Sequence, residues 1–362
     1  MFCPSRLALA RQRRAMTKIA LAEAAHLALR GVTAYEAGEY PPSNENIAAL
    51  AKALRFPVEF FDGDDLEKPN SDGVSFRALT SISARQRDAA IAAGTLAIQV
   101  SNWIADHFEL PSSDLPAMRG FTPDTAAQSL RVEWGLGEKL IYNIVHLLEA
   151  HGVRVFSLPM DIVSVDAFSV WHDDVPFIFL TTDKSGERGR FDAAHELGHL
   201  VLHRHGGPRG REAESEADRF ASAFLMPQGS ILAQAPRAPT LRTLITAKRN
   251  WFVSLAALVH RLHSLGLITE WHYRTLCIEM SQAGYRRDEP CGIPRETSQV
   301  LTKVFGALRE DGISRGTIAR DLLIAPDEFE SLVFGLVISQ VRGGRIGLSK
   351  SESHKPPSLR VV

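Results

Sequence analysis

Apolar residues recur at helical spacing along most of this chain, and only two short runs read as strands. Leu21 and Ala25 share the inner face of a helix expected over 18–26, which Thr17 can cap. A second short helix is expected over 28–36, stopped by Gly38. A third begins after Ser43, with Ile47, Leu50, Ala51 and Leu54 on one face. Residues 62–75 (DGDDLEKPNSDGVS) are acidic and rich in turn formers, the composition of a linker. Helical patterns follow over 83–108, from 123 to about 134 with Thr122 as cap and Pro123 in the first turn, and over 139–151. The strand-like runs are 153–157 and 175–181. Long helices come after them, then a further helical stretch from 269 to about 340. The pattern predicts a fold that is mainly α with a small β-sheet (α+β). It divides into a helical bundle at 1–61, a linker at 62–75, a helical connector at 76–123, a larger domain at 124–275, a C-terminal helical domain at 276–345 and a polar, disordered tail at 346–362.

Composition narrows the classes. With 362 residues, 45% hydrophobic and 23% charged, the chain is long enough for two or three domains, each with a sizeable core. Its 41 basic and 42 acidic residues nearly cancel, so any contact with nucleic acid must come from a local patch. One exists before residue 62. Arg6, Arg11, Arg13, Arg14, Lys18, Arg30, Lys52 and Arg55 outnumber Glu23, Glu36, Glu39, Glu45 and Glu59, for a local +3. Its early arginines fit a folded helical element better than a transit peptide. Cys3, Cys277 and Cys291 make no disulfide framework, so a reducing, cytoplasmic setting is expected. The longest apolar run, 332–338, is far short of the roughly 20 residues that span a bilayer, and no membrane partner is expected.

Two short helices joined by a tight turn inside a bundle form a helix-turn-helix, whose second helix can lie in the major groove. The other reading is a bundle that dimerises or grips a protein. The order RLALARQRRAMT, AEAA, VTAYEAGEYPPSNENIAALAKAL, PVEFF resembles the Xre (Cro-repressor-like) helix-turn-helix family. That resemblance implies operator DNA as a partner, with Lys18, Arg30 and Thr33 at contact positions, and homodimers on palindromic sites. Ala28, Leu29 and Gly31 depart from it, standing where the family usually carries polar readers.

The sharpest chemical signal is FDAAHELGHL, with His195-Glu196-x-x-His199. On a helix, residues four apart share a face, so both imidazoles can reach one Zn²⁺ at about 2.0–2.1 Å. Glu196 beside them can take a proton from a metal-activated water. The third ligand is not His203, which lies about 12 Å along the helix axis from His195. Nor is it His205 by preference, because Leu202 stands where the longer histidine motif needs a glycine. Both histidines read instead as helix-terminal residues favouring the dipole, the other reading being that they polarise a scissile carbonyl or donate to its oxyanion. The better candidate is Glu214 on the next helix, 212–226, followed one turn later by Asp218; taken alone, Glu214 reads equally as a solvent-exposed carboxylate in an acidic run with Glu212 and Glu216. Asp218 can hold the free N–H of a ligand histidine. Ala217 and Ala221 allow a close helix approach. The run 175–181, just before the active helix, is either an edge to which a peptide could add or a central core strand. Trp134, Trp171 and Trp251 read as packing residues. Segments 317–322 and 328–336 have the lengths of a second helix-turn-helix, but the acidic-then-apolar pattern suits packing better.

The pieces AAQSLRVEWGL, IYNIVHLLEAHGVRVFSL, RGRFDAAHELGHLVLH, ESEADRFASAFLMP, VSLAALVHRLHSLGLI and YRRDEP, spread over 125–290, resemble the ImmA/IrrE metallopeptidases. The resemblance implies a zincin-like domain with one metal per chain, Zn²⁺ or another divalent ion. It implies His195, His199 and Glu214 as ligands, Glu196 as general base, and a Xre-type repressor as protein substrate cut under stress or induction. The expected function is a cytoplasmic zinc endopeptidase with a DNA-binding domain. The alternative is a non-enzymatic Xre-type regulator or antitoxin whose metal site is structural or vestigial.

Overall fold

The protein is described by a computed structural model over residues 1–69, 75–76, 83–159, 165–204, 210–285 and 287–337. The tail expected at 346–362 lies outside the described residues, as does His205. Five elements open the chain. They are α1 (Pro4–Arg13), α2 (Lys18–Ala25), α3 (Leu29–Ala37), α4 (Asn44–Leu54) and the two-residue β1 (Ser75–Phe76). Local chemistry sets the helix ends. The Thr17 hydroxyl accepts from the Ala20 N–H and the Ser43 hydroxyl from the Asn46 N–H. Gly38 ends α3 at φ 72°, a left-handed conformation that favours glycine. Ile47, Leu50, Ala51 and Leu54 are buried, as the pattern predicts.

Next come α5 (Ala84–His107), α6 (Pro123–Glu133) and α7 (Ile144–Ala150), followed by β2 (Arg154–Ser157), β3 (Ala167–His172) and β4 (Val175–Leu180). The helix expected over 139–151 begins only at Ile144. The Asn143 side chain caps it there. The chain before it is held as a loop by Arg131, which donates to the carbonyls of Gly137 (2.7 Å), Phe224 (2.5 Å) and Lys139.

The strands make one sheet in the order β1-β3-β4-β2, with β2 parallel to β4 and the other pairs antiparallel. Ser75 and Phe76, expected where linker meets connector, pair with Ser169 and Phe168. β3 is absent from the sequence expectation because both sheet faces are covered and its residues do not alternate with polar ones. Phe168, Val170, Phe177 and Phe179 join one core cluster, while Ala167, Ile178 and Leu180 join the other. A tight turn at Asp173 and Asp174, both at positive φ, folds β3 back onto β4. With β2 on its other side, β4 is central. Of the two readings of 175–181, the central core strand holds and the open edge does not.

The remaining helices are α8 (Gly186–Leu202), α9 (Arg211–Leu225), α10 (Gln228–Gln234), α11 (Leu241–Ala247), α12 (Leu255–Ser264), α13 (Glu270–Gln282), α14 (Gln299–Glu310), α15 (Arg315–Asp321) and α16 (Pro326–Val333). α13 runs across the expected boundary at 275/276. One apolar cluster extends from α1–α4 through the alanine-rich α5 to one sheet face and to α14–α16. The other packs α6–α9, α12 and α13 on the opposite face. The C-terminal helices therefore pack, as their composition suggests. No helix among the described residues is long and apolar enough to cross a membrane.

Candidate metal centre

Ser185 caps α8, its hydroxyl accepting from the Arg188 N–H. The helix then runs buried beneath β3 and β4 and against α9. Its close approach to α9 depends on small residues. Ala217 and Ala221 are fully buried, and a Cβ on Gly198 would lie 3.0 Å from Phe220 Cδ1 and 3.3 Å from Ala217 Cα. Burial forces the polar groups along α8 to find partners. At its N-terminal end, Glu187 accepts from Lys248 Nζ (3.0 Å) and the Ile293 N–H (3.1 Å). Arg190 donates to Glu296 and to the Ile141 carbonyl. Burial holds the Arg190 guanidinium below its usual range, and pushes that of Arg131 down to about 10.

One turn apart on this helix, His195 and His199 turn their Nε2 atoms toward each other at 3.1 Å. Glu214 arrives from α9, with Oε2 3.3 Å from His195 Nε2 and Oε1 3.6 Å from His199 Nε2. One donor atom from each of the three lies within 4.8 Å of the others. Ligands about 2.0–2.1 Å from a tetrahedral ion sit about 3.4 Å apart, so this nitrogen–nitrogen–carboxylate set fits a metal of that geometry. The two histidines are buried, whereas the Glu214 side chain is 20% exposed.

Around this group sit residues that fix it. His195 Nδ1 is 2.9 Å from Asp218 Oδ1, the contact expected of that acid. Glu196 is fully buried, and its Oε2 accepts from the Ser169 hydroxyl at 2.7 Å. Ser169 belongs to β3, and nothing in AFSVWH marks it. His203 is the helix-terminal residue that the pattern suggests. It caps α8, but its Nδ1 lies 2.9 Å from His199 Nδ1 and its Nε2 2.9 Å from Glu216 Oε2. Glu216 belongs to the same acidic run as Glu214, and spacing gives it no role of its own. Trp171 does more than pack, donating from Nε1 to the Leu200 carbonyl (3.1 Å) while Arg204 stacks on it at 3.6 Å.

The N-terminal helix pair has a different character. Arg30 and Thr33 are exposed on α3, and the Thr33 hydroxyl donates to the Leu29 carbonyl at 2.9 Å. Lys18 opens α2 with Nζ 3.3 Å from Glu36. Half of the eight cations in the local count are turned inward. Arg6 donates to the Asp64 carbonyl (2.5 Å), Arg11 pairs with Glu36 (2.5 Å), and Arg13 and Arg14 both pair with Glu328 of α16. The local +3 overstates the charge offered to DNA, because a partner far along the chain lay outside the count.

Residues 148–263 match the Peptidase_M78 family, described as an IrrE N-terminal-like domain. Residues 7–61 match a helix-turn-helix family. The first match is shorter than the resemblance over 125–290, but it contains all three donor residues and Glu196. No curated protein matches the chain significantly. One polypeptide thus carries a segment similar to a helix-turn-helix family, 7–61, and a segment similar to an IrrE N-terminal-like peptidase family, 148–263.

Proposed function

We propose that the protein is a cytoplasmic, zinc-dependent endopeptidase that cuts one regulatory protein, a Xre-type repressor, and so switches transcription. The observation that carries this reading is the meeting of His195, His199 and Glu214 beside a buried Glu196 that Ser169 holds in place. A bound Zn²⁺ would polarise the scissile carbonyl and lower the pKa of water at the site. The protein's own residues supply the rest. Glu196 takes the proton of the attacking water and returns it to the leaving amine. Ser169 keeps the carboxylate at one orientation, so no reorganisation is needed as the proton moves. Lys18, Arg30 and Thr33 touch operator DNA, as the helix-turn-helix match supports. Docking near a DNA-bound repressor raises the substrate's effective concentration at the peptidase.

The test compares newly formed protein N-termini in stressed cells carrying wild type or Glu196→Gln at equal expression. One new terminus that depends on Glu196 identifies the substrate. Identical profiles across several stresses overturn the enzyme reading in favour of a non-enzymatic regulator.

A further inference from the structure

α8 carries histidines at 195, 199 and 203, and α9 carries acids at 214, 216 and 218. The proposed metal centre and Asp218 account for four of these six, leaving His203 and Glu216. From their geometry we infer that His203 and Glu216 are a positioning pair, which fixes the tautomer and ring orientation of His199 for metal binding. The inference rests on the metal-site reading and extends it to two residues that contact no substrate.

The argument runs through hydrogens. His199 faces Glu214 and His195 with Nε2, so as a ligand through that atom its proton sits on Nδ1. Its Nδ1 lies 2.9 Å from His203 Nδ1, and two N–H groups cannot face each other at that distance. His203 Nδ1 must therefore accept. The proton of His203 is then on Nε2, which lies 2.9 Å from Glu216 Oε2. Only this pattern gives every donor in the row an acceptor: His199 Nδ1–H to His203, then His203 Nε2–H to the carboxylate. His195 reaches the same end in one step, through Asp218. Both imidazole ligands thus finish on a carboxylate of α9, an arrangement that raises ligand basicity and locks the ring.

The position of His203 makes this possible. It lies just past the last helical residue, at φ −116° and ψ 8°, and its N–H still bonds to the His199 carbonyl at 3.0 Å. Its ring centroid is 5.1 Å from that of His199, and its side chain is 11% exposed, so little water competes for the contact.

The test measures Zn²⁺ affinity of the full chain by competition with a chromophoric chelator, using wild type, His195→Ala, His203→Leu, His203→Asn and Glu216→Ala. Melting of each metal-free form controls for folding. Asn presents an amide oxygen near the place of Nδ1, whereas Leu fills the volume without an acceptor. The pair predicts about 10–100-fold weaker binding for His203→Leu, and a smaller loss for His203→Asn. A packing role predicts the opposite order. The ¹⁵N spectrum of the ring should also show His203 protonated on Nε2 in the zinc-loaded protein. Wild-type affinity in His203→Leu, Asn no better than Leu, or a proton on His203 Nδ1 would each overturn the pair. If wild type itself binds no stoichiometric Zn²⁺, the metal-site reading falls and takes the pair with it. If wild type binds and His195→Ala does not, only the pair is at stake.

Discussion

Two helix pairs define this molecule, and they use charge in opposite ways. In α8 and α9, histidines and carboxylates converge, so that His195 and His199 are each held by a further polar group. In α2 and α3 the exposed surface is sparsely charged. Nearby arginines are taken up in ion pairs, Arg11 with Glu36 of α3, and Arg13 and Arg14 with Glu328 of α16. The first pair concentrates polarity where burial makes each contact strong. The second gives up part of its cationic surface so that its domain stays fixed to the rest. A net charge summed over a segment misses this distinction, because it counts the buried arginines with those that face solvent.

The largest effect expected would break the metal half of the contrast. Removing a ligand, His195→Ala or Glu214→Ala, should abolish stoichiometric Zn²⁺ binding in calorimetry. Zinc at about 100 times its dissociation constant should stabilise wild type by about 2.7 kcal/mol and leave these variants unchanged. Glu196→Gln should keep the metal while cleavage falls about 10²–10⁴-fold. Equal zinc stabilisation of all forms would remove the site.

On the other half, Glu328→Ala removes the carboxylate that both Arg13 and Arg14 meet, where the Arg13 side chain is 2% exposed. Loss of one partner of a buried pair costs about 3–5 kcal/mol, measurable by denaturant unfolding. A change below about 1 kcal/mol would mean that the apolar contacts of α1 and α5 suffice. Gly198→Ala sharpens the first half again. Its new Cβ, 3.0 Å from Phe220, should cost about 1–3 kcal/mol and weaken zinc binding as the helices part. Full wild-type stability would show that Phe220 yields freely. The smallest effect is on DNA. Arg30→Ala should lower affinity uniformly across sequences and reduce the log–log salt slope by about one. If it leaves the slope unchanged, the exposed face of α3 is not the reader.

What could be read from the sequence follows the range of the interactions. His195, Glu196 and His199 lie within one helical turn and a third, and Glu214 and Asp218 within another, so spacing alone exposes them. Caps at Thr17, Ser43 and Thr122 were visible because they act within three residues. Ser169 was not, since it reaches Glu196 from a strand buried on both faces, which loses the alternation that marks strands. Arg13 and Arg14 swell the local charge count because their acid is far away in sequence. His203 stood in plain view, but its role needed Glu216 across a helix packing that no local pattern encodes.

The separation between Arg13 and Glu328, 315 residues, also has a consequence in time. A chain made from its N-terminus at about 5–20 residues per second completes the α8–α9 hairpin well before residue 328 emerges. The helix-turn-helix domain, finished first, waits on the order of tens of seconds for the acid that pins it. The first domain to be synthesised is thus among the last to complete its ion pairs, and a ribosome stalled late would carry a complete α8–α9 hairpin below a helix-turn-helix segment that packs on α5 but lacks Glu328.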